Sequence, residues 1–130
     1  MKTHFFDKKS KDSTNYPWVA LLGNPNCGKT AIFNILSGLS QKVSNYPGIT
    51  VEKKIGTVKF RKNSFNILDL PGTYSLSAES FDEQIVSDQI QNWARGENPP
   101  DAIISVVDAS NLSRNLYLTS QLLDLSLIHI

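Results

Sequence analysis

Eight residues, Gly23 to Thr30, constrain this chain more than any others. They read GNPNCGKT and fill every fixed position of G-x-x-x-x-G-K-S/T, a loop that wraps its backbone around phosphates. Gly23 and Gly28 have no Cβ, so the backbone can take strained angles and come close to an anion. The loop N–H groups then converge into a nest, and the helix that follows adds the positive end of its dipole. Lys29 can bridge β- and γ-phosphate oxygens, and the Thr30 hydroxyl can complete a Mg²⁺ shell. Asn24, Pro25, Asn26, Cys27 and Ala31 complete the expected contact set.

Both flanks fit. Trp18 to Leu22 is a short apolar run suited to a buried strand, and Ala31, Ile32, Ile35 and Leu36 recur at helical spacing before Gly38. The chain has 130 residues, enough for one domain with a sizeable core. Its net charge of +1 gives no reason to expect nucleic acid. Cys27 is the single cysteine, which excludes an intramolecular disulfide; with no histidine nearby it reads as a loop residue, not a nucleophile. No apolar run approaches the roughly 20 residues needed to cross a membrane. Residues 1–17 are polar and lysine-rich and read as a flexible arm.

After the first helix, expected over Lys29–Ser37, residues 39–50 (LSQKVSNYPGIT) have no apolar period and read as an exposed, mobile loop. Val51–Phe60 alternates imperfectly with lysines, as a strand near a sheet edge does. It pairs through the turn at Arg61–Ser64 with a second strand from Phe65 to Leu68. That strand runs into Asp69-Leu70-Pro71-Gly72, where an Asp at a strand's carboxyl end can serve Mg²⁺ and Gly72 can bring its N–H to a γ-phosphate. Residues 73–80 read as polar and mobile. Ser80 is placed to cap a helix to about Ala94 whose face carries Phe81, Ile85, Val86, Ile90 and Trp93. Ala102–Val107 reads as a central parallel strand buried on both faces, followed by Asp108 and a last helix with a stripe of Leu112, Leu116, Leu122, Leu123 and Leu125. This order predicts an α/β sheet with helices on both faces, with ligands at the carboxyl ends of the strands.

Taken together, GNPNCGKTAIFNILSG, NYPGITVEKK, LDLPGTYSLSAES and VVDASNLSRNLYLTSQLLDL closely resemble the GTPase domain of the bacterial ferrous-iron transport protein B family, from Trp18 to Leu125. The resemblance implies a Ras-like P-loop NTPase fold, a three-layer sandwich with a mostly parallel sheet, occupying residues 18–130 and C-terminally incomplete. It implies GTP or GDP as ligand, Mg²⁺ held through Thr30, Thr50 and Asp69, and K⁺ beside Asn26. Gly48, Ile49 and Thr50 then belong to a first switch, and Asp69, Leu70, Pro71 and Gly72 to a second. Catalytic roles fall to Lys29, Thr50 and Asn26. No glutamine follows Gly72, so water placement falls to backbone groups or Thr50.

The full-length relatives add a membrane permease domain in the same chain, at the cytoplasmic face of the bacterial inner membrane, and leave a homo-oligomer open. Two features depart from the family. No guanine-reading N/T-K-x-D or N-x-x-D motif follows the Ala102–Val107 strand, and Ser126–Ile130 does not look like the family. Competing readings are another potassium-activated GTPase, of ribosome assembly or tRNA modification, and a nucleotide-binding fragment that does not hydrolyse.

Overall fold

The computed structural model describes residues 16–127; residues 1–15 of the expected arm and 128–130 of the ending lie outside them. Five strands form one sheet in the order β2-β3-β4-β1-β5. They are β1 (Trp18–Gly23), β2 (Gln41–Asn45), β3 (Glu52–Phe60), β4 (Asn63–Asp69) and β5 (Ala102–Val106). Among the described residues β1 lies parallel to both β4 and β5, while β2–β3 and β3–β4 are antiparallel, so the sheet is mixed. Among the described residues three α-helices complete the layers: α1 (Lys29–Ser37), α2 (Phe81–Ala94) and α3 (Leu112–Leu127).

Alternation along β1 divides the core. Leu21 joins Phe33 of α1, Val58 and Ile67 on one face. Ala20 and Leu22 join Leu68, Leu70 and the buried residues of α2 and α3 on the other. Trp93 is core, as expected, set edge-to-face on Trp18 at 5.5 Å between ring centroids. Ser80 caps α2 by accepting from the Glu83 N–H at 3.2 Å.

Five expectations need correction. The stretch read as a loop contains β2, an edge strand that is mostly exposed and so has no apolar period to betray it. β3 lies next to that edge strand, near the sheet edge as expected. In α1 the buried face is Lys29, Phe33 and Ser37, while Ile35 is 81% exposed. Ser37 can sit against the sheet because β3 has Gly56 there, where an added Cβ would lie 2.5 Å from the Ser37 Cβ. Residues 73–80, expected to be mobile, are held at two points: Thr73 is buried, and the Leu76 N–H donates to Gln121 Oε1 at 2.8 Å. On α3 the inward stripe is Asn115, Leu118 and Leu122, with Leu125 partly buried, whereas Leu112, Leu116 and Leu123 are exposed. The expected set mixed two faces of that helix.

β5 is not central among the described residues: it pairs only with β1, and Ile104 is 42% exposed.

Candidate functional site

The loop between β1 and α1 is shaped by its glycines. Gly28 takes a left-handed φ of 93° at the helix N-cap and offers no side-chain cap, leaving first-turn N–H groups available to an anion. Gly23 is packed so closely that a Cβ would meet Cys27 Sγ at 2.7 Å and the Val106 carbonyl oxygen at 3.0 Å. Asn26 also adopts a positive φ, of 62°.

β1 and β4 run parallel and in register, Leu21 opposite Asp69, so the phosphate-type loop and the Asp69 turn emerge side by side. Three contacts fasten them. The Leu70 N–H donates to the Leu21 carbonyl at 3.2 Å, and the Thr73 N–H to the Gly23 carbonyl at 3.0 Å. Gly72 lies against Pro25, and a Cβ there would come within 2.9 Å of the proline Cα.

Lys29 crosses this seam. Its ammonium is ion-paired with the Asp69 carboxylate and donates to the Leu70 carbonyl at 2.5 Å, with both charged side chains buried. The pair faces a cavity of about 330 Å³ lined by Lys29, Thr30, Thr50, Asp69, Leu70, Pro71 and Gly72. Seven of the anticipated residues are thus brought together. Glu52, Lys54 and Asp82 line the same cavity and were missed by sequence reasoning. The signal was available for two of them: on a strand, Glu52 and Lys54 necessarily share a face.

The other anticipated residues fall elsewhere. Asn24, Pro25, Asn26 and Cys27 line an adjoining cavity of about 250 Å³ with Tyr74, Asp108, Asn111, Arg114 and Asn115. Asp108 is held below the usual carboxylate range by the Ser110 hydroxyl and N–H, which both donate to it. Ala31 is exposed on α1, and Ile49 packs on the core, while Gly48 supplies the turn before Thr50 with a φ of 77°.

A phosphate-type loop, a buried lysine–aspartate pair and a hydroxyl on each side define a P-loop NTPase domain of the G-domain type. The Ferrous iron transport protein B family profile matches residues 18–130, and the chain belongs to that family. It is similar to the Fe(2+) transporter FeoB of Methanocaldococcus jannaschii, with 49% identity over 107 residues, 82% of this chain and 15% of the relative. Among solved structures it is similar to the G domain of the T. maritima FeoB iron transporter, at 44% identity and a TM-score of 0.76, over 85% of this chain and 66% of that one. It also resembles a GDP-bound mutant of the S. thermophilus FeoB G-domain, at 48% identity and a TM-score of 0.73, over 83% of this chain and 39% of that one. The chain spans about 15% of the length of the curated relative from M. jannaschii.

Proposed function

We propose that this domain binds guanine nucleotide and hydrolyses GTP as the nucleotide-handling part of a ferrous-iron transporter at the cytoplasmic face of a bacterial inner membrane, joined to a permease in the same polypeptide. The supporting observation is the buried Lys29–Asp69 pair opening onto the cavity that Thr30, Thr50 and Gly72 share. A buried ammonium beside a helix N-terminus that has no side-chain cap suits a polyphosphate. The GDP in the S. thermophilus relative agrees in ligand class.

The residues present fit a magnesium ion, because a buried carboxylate and two hydroxyls line one cavity, an oxygen-only donor set of the kind this hard cation takes. Thr30, Thr50 and Asp69 would hold it, and Asn26 would hold potassium. Bound cations supply neutralisation of the charge that builds on the transferring phosphoryl group. The protein's own work is positional. Lys29 leaves Asp69 for the β- and γ-phosphates, Gly72 brings its N–H to the γ-phosphate, and Thr50 closes over the site when that phosphate is present. With Thr73 and Tyr74 after Gly72, the attacking water is oriented by backbone groups or Thr50.

Phosphate release measured with GTP and with ATP, in potassium and in sodium, tests the reading. Hydrolysis of GTP that is faster in potassium is expected. Tight nucleotide binding without turnover would leave a binding module instead.

A further inference from the structure

Charge is not spread evenly along this chain. From Thr30 to Leu68 there are six cations and one acid, Glu52, although the whole chain carries a net charge of only +1. Glu52 lies 3.7 Å from the Lys54 ammonium, at the cavity end of β3. Lys42, Lys59, Arg61 and Lys62 are exposed and form no ion pair among the described residues. The last three surround the β3–β4 turn. Phe60 pairs with Asn63 across the two-residue connection Arg61-Lys62, and β4 then runs about 20 Å to Asp69. The turn is therefore the end of the hairpin farthest from the phosphate-type loop.

Two residues at this turn are unfavourable choices if water is their only neighbour. Phe60 is 62% exposed, where a polar side chain would leave no aromatic surface in water. Arg61 has a φ of 56°, the left-handed region in which two-residue hairpin turns ordinarily place glycine or asparagine. Its guanidinium carbon lies 5.3 Å from the centroid of the Phe60 ring. Lys59 and Lys62 bracket the pair. An aromatic ring at a convex tip, set among unpaired cations, matches an anionic lipid surface. The ring can enter the headgroup region while the cations meet lipid phosphates. A nucleic acid fits less well, because base stacking uses a platform of several aromatic rings along a basic groove, and this tip has one ring.

We infer that Lys59-Phe60-Arg61-Lys62 is a membrane-contact tip that docks the domain onto anionic phospholipid. Lys42, exposed on the neighbouring edge strand, adds to the same positive field. Attraction between these cations and the lipid phosphates weakens as salt rises, whereas burial of the Phe60 ring adds a part that salt does not remove. The tip and the Lys29–Asp69 pair lie at opposite ends of β4, so lipid contact is independent of nucleotide binding.

Flotation of the 130-residue protein with lipid vesicles tests this, using phosphatidylcholine alone and equal parts of phosphatidylcholine and phosphatidylglycerol. The protein is expected to float with the mixed vesicles and not with phosphatidylcholine, and less as salt is raised. Lys59→Gln, Arg61→Gln and Lys62→Gln combined should weaken partitioning about a hundredfold, at about fivefold for each charge. That variant should keep the melting temperature of the unaltered protein, since all three side chains are exposed. Phe60→Trp should still float, and its emission should move to shorter wavelength on mixed vesicles as the indole leaves water, over the constant background of buried Trp18 and Trp93. Failure of the unaltered protein to float with mixed vesicles overturns the proposal. A triple variant that floats equally well also overturns it, by placing the lipid contact elsewhere, and an unshifted Phe60→Trp emission does so by leaving the ring in water. Retention on single-stranded RNA without flotation would make the tip a nucleic-acid contact instead. None of these outcomes bears on nucleotide at Lys29.

Discussion

Lys29 and Asp69 form a buried ion pair that joins the start of α1 to the end of β4, with side chains 7% and 5% exposed. Neither charge is far from the other's element, and each is expensive to bury alone. Lys29→Ala is therefore expected to act twice. It should abolish nucleoside triphosphate binding in a calorimetric titration, because the phosphates lose their main partner. It should also lower stability by about 3–5 kcal/mol by stranding the Asp69 carboxylate. Adding Asp69→Asn should recover part of that stability, though not the binding, in a denaturant titration. Unchanged affinity in Lys29→Ala would remove the lysine from the phosphate site.

The seam between α1 and β3 is set by what is missing at Gly56. A methyl group there would sit 2.5 Å from Ser37 Cβ and 3.2 Å from the Phe33 ring. Gly56→Ala is expected to destabilise the domain by about 1–3 kcal/mol through overpacking. Because the closest atom belongs to one side chain, Ser37→Gly should relieve much of the clash, and the two substitutions should be strongly non-additive in a double-mutant cycle. Additive losses would mean that the strain lies elsewhere.

Gly56 also illustrates how far the sequence could be read. The loop from Gly23 to Thr30 and the Asp69-to-Gly72 turn were legible because each residue type in them answers to phosphate or metal chemistry at fixed spacing. The parallel register of β1 and β4, which puts them side by side, follows from the fold those motifs define. β2 was illegible because an edge strand with most side chains in water carries no hydrophobic pattern. α1 misled for the opposite reason: Ile35 and Leu36 are apolar yet exposed, while Lys29 and Ser37 are buried. Tyr46 could be seen as part of NYPGIT, but nothing in the sequence marks its hydroxyl as buried and without a hydrogen-bond partner among the described residues.

Thr50 lines the cavity from a loop closed at Tyr46 and Val51, whereas Thr30 sits on the first turn of α1. The two hydroxyls should therefore separate by ligand. Thr50→Ala is expected to slow GTP hydrolysis by tenfold or more, on the order of 1.4 kcal/mol at the transition state, while changing GDP affinity little. Parallel measurement of phosphate release and GDP binding decides it. Equal losses in both would contradict a switch role for Thr50.

Tyr46 makes stability depend on alkaline pH in a defined direction. Its phenol is held protonated well above the ordinary value of 10.0, first by burial and then by Asp69. Between the ordinary and the raised value the unfolded chain binds fewer protons than the folded one, so the stability present below pH 10.0 is lost as pH rises beyond it. Tyr46→Phe should flatten this alkaline decline in denaturant titrations across that window. Identical slopes for both proteins would mean that the phenol ionises as freely folded as unfolded.

The far side of the sheet raises a different expectation. β5 pairs with β1 along one edge, and among the described residues no strand lies along the other. Ile104 stands 42% exposed on it, and nearby a cavity of about 150 Å³ is lined by Trp93, Pro99, Ile103, Leu122 and Leu125. A row of unpaired N–H and C=O groups beside apolar side chains is a template for pairing with another strand. The 130-residue chain is therefore expected to self-associate reversibly in sedimentation velocity, with the association strengthening as concentration rises. Ile104→Lys puts a charge on that edge without touching the phosphate loop, and should return the protein to monomer while leaving nucleotide affinity unchanged. Association that persists in Ile104→Lys would point to the exposed β2 edge instead, where Val43 is 54% exposed.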